Sequence, residues 1–353
     1  MNKKIKDRGL FDEYNVLEKL SGLRDPLEKL NSKIDFELFR QPLDAICRKE
    51  ERKSNAGAKP YDYVLMFRIL LLQRLYNLSD EQTEFQLNDR LSFRRFLGLK
   101  LSDRIPDCNT IWQFREQLKQ QDNEQKLFDC FYAQLERCGL IANEGKMVDA
   151  SFHEVPRQRN SREENQQIKQ GQVPEEWKEN QRQLSHKDTD ARWTKKNQVN
   201  YYGYKNHIKS DAKSKLIDCY AVSDASVHDS QPLDTLLDEK DKGQPLYGDS
   251  AYSGENPETV VAQKEMTNLI HEKGYRNKLL TEEQKANNRT KSKTRARVEH
   301  IFGFIETSMK GSYMRCIGIA RAKVIIGLTN LVYNICRSVQ LGMNMYSPKC
   351  AMA

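Results

Sequence analysis

The sequence predicts an α/β protein in which a mixed β-sheet is flanked by helices and preceded by an all-helical N-terminal part. Residues 61–75 are apolar nearly all round, a pattern typical of the central helix of a bundle. From residue 146 onward the order is strand, insertion, strand, strand, helix, strand, helix, strand, helix. Such alternation packs helices against a sheet. We therefore expect a helical domain at 1–140, an α/β domain at 141–340 and a tail at 341–353.

Composition limits the class of protein. The chain has 353 residues, and 38% of them are hydrophobic, which is enough for a sizeable core. Its net charge of +8 suits a polyanionic partner. Its eight cysteines form no CxxC pair, so we expect free thiols in a reducing cytoplasm. The N-terminus lacks the apolar segment of a signal peptide. Residues 317–336 are apolar but contain Arg321 and Lys323, which predicts a buried helix and not a membrane span.

The stretch 79–119 predicts short helices joined by tight turns. Ser79 and Gln82 are spaced as a capping box, and Asn109 can cap the last helix. On that last helix Arg115 and Lys119 are expected to face outward. The arrangement resembles a helix-turn-helix, and an ordinary helical bundle explains it equally well.

The segment 146–152 predicts a strand that carries a carboxylate. Val148, Ala150 and Phe152 share one apolar face, and Asp149 lies on the other. A buried, unpaired carboxylate costs several kcal/mol. Asp149 therefore needs a hydrogen-bond network, an arginine or a metal ion, and we expect a metal.

Two further acidic residues occupy positions suited to the same site. Asp249 ends a predicted strand, and Glu299 borders the apolar stripe of a helix predicted from residue 294 to about 310. Three carboxylates suit two divalent ions roughly 4 Å apart, which together promote phosphodiester cleavage. Oxygen ligands favour Mg²⁺ or Mn²⁺ over Zn²⁺. As purely structural alternatives, Asp249 caps a turn and Glu299 pairs with Arg295.

Residues 153–200 are almost devoid of core residues and predict a polar insertion, partly disordered or ordered by a partner. Its end mixes Trp193 with Arg192, Lys195 and Lys196, and aromatic rings among cations suit DNA. A solvated loop followed by an edge strand is the alternative. A hairpin is predicted over residues 201–223, and a basic loop over 273–293.

Several motifs between residues 60 and 335 together resemble the bacterial DDE transposases of the insertion-sequence-five family. The motifs are Leu78-Ser-Asp, Val148-Asp-Ala, Tyr202-Gly-Tyr-Lys-Asn-His, Val227-His-Asp, Gly248-Asp-Ser-Ala-Tyr and Arg295-Ala-Arg-Val-Glu-His-Ile-Phe. The resemblance implies an RNase H-like catalytic domain, a helical N-terminal domain that binds transposon ends, and catalytic carboxylates at Asp149, Asp249 and Glu299.

The resemblance is incomplete at two positions. The family's Tyr and Lys positions hold Ser292 and Glu306, although Lys310, one helical turn beyond Glu306, can replace the missing cation. His228-Asp229 is a rival for the second ligand, because this pair can cap a helix, bind the scissile phosphate or supply a carboxylate.

We therefore expect a DNA transposase that cleaves the ends of an insertion sequence and joins the freed 3′-OH groups to target DNA, using two Mg²⁺ or Mn²⁺ ions. Its expected partners are terminal inverted repeats, target DNA and further copies of the chain in a homodimer or higher assembly. It would act in the bacterial cytoplasm, on the nucleoid. A DNA-binding protein that has lost its chemistry and a nuclease without strand transfer are the alternatives. The candidate DNA-contacting residues are Arg115, Lys119, Arg192, Trp193, Lys195, Lys196, Lys205, His228, Arg295 and Lys310.

Overall fold

The computed structural model describes residues 12–47, 59–196, 198–275, 279–347 and 350, so parts of the predicted N-terminal domain and tail lie outside it. The helices are α1 (Asp12–Gly22), α2 (Pro26–Asn31), α3 (Arg40–Cys47), α4 (Tyr63–Leu75), α5 (Asp80–Asp89), α6 (Leu91–Leu97), α7 (Cys108–Leu118), α8 (Asn123–Arg137), α9 (Arg162–Lys169), α10 (Glu175–Glu179), α11 (Gln181–Ser185), α12 (Leu233–Leu236), α13 (Glu255–Gln263), α14 (Glu282–Arg295), α15 (Glu299–Gly303) and α16 (Ile319–Gln340). The strands are β1 (Lys146–Glu154), β2 (Arg192–Lys196), β3 (Val199–Asp211), β4 (Ile217–Asp224), β5 (Pro245–Tyr247) and β6 (Thr267–Asn268).

The N-terminal part is helical, as predicted, and α4 is its buried centre. Asp62 starts α4 by accepting a hydrogen bond from the Leu65 N–H. The capping box of Ser79 and Gln82 is present at the start of α5. The predicted cap of α7 is wrong, because Asp107, and not Asn109, accepts the hydrogen bond of the first turn.

Helix α16 joins the two halves of the molecule. It packs against α4 and α8 on one side and β4 on the other. Its side chains share one apolar cluster with the N-terminal helices, including Phe67, Phe128 and Leu331. By length and composition α16 is apolar enough to cross a membrane, but 72% of its most apolar window is buried in the protein, which is typical of a core helix. The predicted buried helix is confirmed.

The mixed sheet predicted by the sequence is confirmed. Its main order is β2-β3-β1-β5-β6, with β4 also paired to β3. β3 is antiparallel to both β1 and β4, whereas β5 and β6 run parallel to β1. β2 pairs with the first part of β3 and β4 with the later part. The hairpin predicted over residues 201–223 corresponds to β3 and β4.

The insertion is more ordered than predicted. It contains α9, α10 and α11 and a small core of its own around Trp177, whose side chain is fully buried. The indole N–H of Trp177 donates to Glu164 at 2.8 Å, and the Lys187 ammonium lies 4.5 Å from the indole ring. Trp177 and Ile168 are thus buried within a segment that the sequence predicted to have almost no core.

Two predictions near the C-terminus are wrong. The basic segment 273–293 is not all loop, since α14 begins at Glu282; Thr281 and Gln284 cap it, and no residue on it is buried. Without an apolar stripe this helix gave no periodic signal. The helix predicted from residue 294 to 310 is instead a turn at 296–298, α15 and a π-helical segment, Phe304–Ser308.

The expectation of free thiols is wrong for one pair. Cys138 and Cys350 form a disulfide bond, with Cα atoms 4.8 Å apart, although 212 positions separate them. The cysteines at positions 47, 108, 130, 219, 316 and 336 are free.

Candidate active site

The parallel pairing of β1 with β5 places two acidic residues side by side, one within β1 and one just past the end of β5. The last bonded pair is Met147 with Tyr247, and continuing that register by two residues sets Asp149 level with Asp249. Successive side chains alternate between faces, so both carboxylates lie on the face of Met147. A side chain at Gly248 would press against Val148, which makes glycine well suited to this close approach.

Glu299 lies on the same side of the sheet. Met147 belongs to the same apolar cluster as Val298 and Ile301, so the chain around Glu299 packs on the face that carries Asp149. Glu299 is the first residue of α15, directly after the turn at 296–298, and its side chain is 63% exposed.

Arg295 connects two of the three acids. One guanidinium nitrogen lies 3.3 Å from Asp149 and another lies 3.3 Å from Glu299. Asp249 instead accepts a hydrogen bond from the Ala251 N–H and caps a short 3₁₀ turn. Both structural alternatives considered for Asp249 and Glu299 are therefore present in this state of the protein.

Burial dominates the electrostatics of Asp149, which is only 8% exposed. Loss of solvation raises the pKa of its carboxyl group from 3.8 to about 6. The Ala150 N–H and the Arg295 charge oppose this rise, and the negative charge of Asp249 adds to it. Asp149 and Asp249 thus interact, and Arg295 compensates the buried charge only in part.

Among the described residues, no group of three His, Cys, Asp or Glu side chains is arranged to hold a metal ion. At this site the guanidinium of Arg295 lies between Asp149 and Glu299, 3.3 Å from each. The donor set nevertheless fits a hard divalent ion: a buried carboxylate whose charge is undercompensated, a second carboxylate just past the end of the adjacent strand, and an exposed third at a helix start.

The rival second ligand is already engaged. Asp229 is buried, and the Lys205 ammonium donates to it at 2.7 Å, with Lys196 at 3.7 Å. His228 is exposed and hydrogen-bonds Ser230. The expectation that Lys205 faces DNA is wrong, because this lysine is 7% exposed and also donates to the Val227 carbonyl.

Two arginines proposed to contact DNA hold the protein together instead. Arg192 donates to the carbonyl groups of Thr189, Ala191 and Ile168 and so ties β2 to α9. Arg115 does not face outward, because its guanidinium forms two hydrogen bonds, of 2.6 and 2.8 Å, with Asp80.

The other candidate DNA contacts remain accessible in part. Lys119 pairs with Glu116. Trp193 and Lys195 are exposed on β2, as is Lys196. Lys310 does not lie one helical turn beyond Glu306, because the helix ends before it, its φ is +52°, and its carbonyl accepts from Asn77; its role as a replacement cation stays a prediction. Ser292, at the family's Tyr position, lies 3.2 Å from the His271 ring.

The sequence reasoning missed His153. Asp149, Ser151 and His153 alternate along β1, so their side chains lie on the same face of the sheet. This spacing was already visible in the sequence. Burial lowers the pKa of the His153 imidazole to about 4, and its Nδ1 is 2.9 Å from the Gly311 carbonyl. Beside it, Phe152 stacks on Tyr201 along a cavity of about 240 Å³.

Comparisons with known families decide the class of protein. The model of the family described as Transposase domain (DUF772) matches residues 15–117, and that described as Transposase DDE domain matches residues 142–335. The chain belongs to the DDE transposase family. It is a DNA transposase, of a family that cleaves DNA and transfers strands with divalent metal ions, and its α/β domain is a mixed sheet flanked by helices.

A solved structure gives a distant match. The cryo-EM structure of a piggyBac transposase synaptic complex with hairpin DNA is 13% identical, with a TM-score of 0.40, and the match covers 94% of this chain and 79% of that one. The prediction of a DDE transposase is confirmed, whereas the narrower insertion-sequence-five assignment stays a prediction.

Proposed function

We propose that Asp149, Asp249 and Glu299 are the catalytic carboxylates of this transposase and that they hold two Mg²⁺ or Mn²⁺ ions. The observation that carries the proposal is the placement of Asp149, within β1, beside Asp249, just past the end of the adjacent parallel strand β5, with Arg295 linking Asp149 to Glu299. When bound, such ions activate the attacking oxygen and stabilise the leaving one.

The chain's own residues prepare this chemistry. Asp149 is held by the β1 backbone and by the Ala150 N–H, so its position changes little. Glu299 sits after a turn and is exposed, so it can move toward the strands. Arg295 steadies both acids in the free protein, and bound cations would take over part of that role. Its guanidinium would then be available to a DNA phosphate.

The reaction proposed is cleavage at the ends of the element, release of 3′-OH groups, and in-line attack of those groups on target DNA. Two ends must be joined together, which favours a homodimer or higher assembly on the terminal repeats. The enzyme would work in the bacterial cytoplasm, on the nucleoid.

Nicking of a duplex that carries the element's own terminal repeat, with Mg²⁺, tests the assignment. Alanine substitution of Asp149, Asp249 or Glu299 should each abolish nicking while DNA binding persists. Glu283→Ala is the matched control, because Glu283 is an exposed acid on α14. Full activity of any of the three variants would refute that residue's role.

A second candidate is a DNA-binding protein whose chemistry is impaired. The observation that favours it is the exposed Glu306, at the family's Lys position, beside the cavity next to His153. Wild-type protein that binds the terminal repeat without nicking it, and that gains nicking on Glu306→Lys, would establish this alternative.

A further inference from the structure

An arginine-rich groove lies away from the candidate carboxylates, where three separated parts of the chain meet. Its volume is about 610 Å³. Helix α7 contributes Trp112, the segment after β1 contributes Arg157, and the segment before α16 contributes Arg315. The groove therefore joins the N-terminal helices, the insertion and the α/β core.

The acidic residues of the groove already have hydrogen-bond partners within the protein. Both oxygens of Asp80 accept from Arg115. Asp188 is 1% exposed, and its oxygens accept from the Tyr204 hydroxyl and from backbone N–H groups, including that of Gly318. Asp80 is thus balanced by Arg115, whereas the charge of Asp188 is held below the surface by neutral donors and forms no salt bridge with a described residue.

The remaining cations are in excess. Among the described residues Arg315 forms no salt bridge; its guanidinium lies 5.7 Å from the Tyr313 ring. Arg157 approaches Glu154 only at 3.4 Å, is 62% exposed and lies 5.6 Å from the Trp193 ring. Arg74, beneath the groove, is 91% buried, and no described residue accepts a hydrogen bond from its Nε.

Aromatic rings accompany these cations on the surface. Trp112, Trp193 and Tyr313 are each about two-fifths exposed. Arginine held flat against a ring keeps its N–H groups in a fixed orientation and suits bidentate contact with phosphate.

We propose that this groove binds the sugar-phosphate backbone of duplex DNA next to the cleavage site, with Arg157 and Arg315 as the phosphate contacts. The inference rests on the proposed function, since it takes Asp149 to mark the cleaved bond. Arg157 follows Asp149 by eight residues along β1 and its extension, which spans at most roughly 26 Å. At about 3.4 Å per base pair, the contact falls within about 8 base pairs of the cut.

The salt dependence of DNA binding tests the groove. The probe is an arbitrary duplex of about 30 base pairs, because phosphate contacts are independent of sequence. The double variant Arg157→Ala/Arg315→Ala should bind more weakly and lower the slope of log K against log salt by about 2. The lysine pair, Arg157→Lys/Arg315→Lys, should restore the slope.

The matched control is Arg162→Ala/Arg182→Ala, which removes two exposed arginines of the same insertion outside the groove. It should leave the slope unchanged. Phosphate ethylation on an end-containing duplex should interfere with binding of wild-type protein within about 8 base pairs of the cut.

Three outcomes overturn the inference. An unchanged slope in the Arg157/Arg315 variant refutes the groove alone, and nicking that depends on Asp149 would still support the proposed function. Altered self-association of that variant without DNA would make the groove an interface between copies. Failure of wild-type protein to bind any duplex would overturn the groove and the proposed function together.

Discussion

Replacing Asp149 by asparagine is expected to stabilise the protein at neutral pH in the absence of divalent ions. The carboxylate is 8% exposed, and burial raises its pKa to about 6. Its ordinary pKa of 3.8 applies in the unfolded chain. Folding therefore favours the protonated acid, and the folded state loses stability as pH rises from 3.8 through about 6. Asparagine cannot ionise, and its side-chain oxygen can still accept from Ala150.

The interval between the two pKa values sets the size of the effect. Each pKa unit corresponds to about 1.4 kcal/mol, so full ionisation of Asp149 costs up to about 3 kcal/mol. The free energy of unfolding of Asp149→Asn should exceed that of the wild type by an amount that grows by about 1.4 kcal/mol between about pH 5 and the pKa of Asp149 in the folded protein. Above that pKa the difference should stay constant. The contact of Arg295 with the new amide group is less favourable than with the carboxylate, which makes these values upper limits.

Urea unfolding in EDTA across this pH range, for wild-type and variant protein, measures the difference directly. Adding Mg²⁺ at neutral pH should then stabilise the wild type and not the variant, because only the carboxylate is a good ligand. If the difference in free energy of unfolding between variant and wild type does not change between about pH 5 and pH 7, burial does not raise the pKa of Asp149 as stated. Equal stabilisation of both proteins by Mg²⁺ would contradict the metal assignment.

Other changes should act through packing and hydrogen bonding. Trp177→Ala should cost about 3–5 kcal/mol of local stability and expose the insertion to limited proteolysis, whereas uncut protein would show that the insertion has another support. Gly203→Ala should lower the melting temperature and disturb the β1–β3 pairing, because its Cβ would clash with the His153 carbonyl at a φ of +149°; an unchanged melting curve would contradict this. Arg115→Ala should destabilise the N-terminal helices by about 1–3 kcal/mol, since it leaves Asp80 partly buried without its cation, and Arg115→Lys should recover only part of that loss in chemical unfolding.

The sequence predicted the elements whose burial follows a simple period. The helices α4 and α16 are apolar over most of their surface, so their cores could be read locally; β1 was predicted from the alternation of its sequence, although residues on both of its faces are buried at 146–149. The same alternation identified Asp149 as a buried carboxylate. The helix α14 escaped detection because its stability comes from caps and polar contacts and not from an apolar stripe.

The partners of charged side chains were decided by the tertiary structure. Arg115, Arg192 and Lys205 looked like cations for DNA, yet each has internal acceptors brought to it by folding. The disulfide between Cys138 and Cys350 likewise depends on the approach of two remote segments.

The sequence by itself thus determined the class of fold, the family and the three candidate carboxylates, because strand periodicity and short motifs are local properties of the chain. Only the tertiary structure decided that β1 and β5 are parallel neighbours, that Arg295 lies between Asp149 and Glu299, and which arginines stay free. The physical reason is that strand and helix patterns are set by residues close together in the sequence. An ion pair instead depends on the distance and burial of two groups that the chain brings together only on folding.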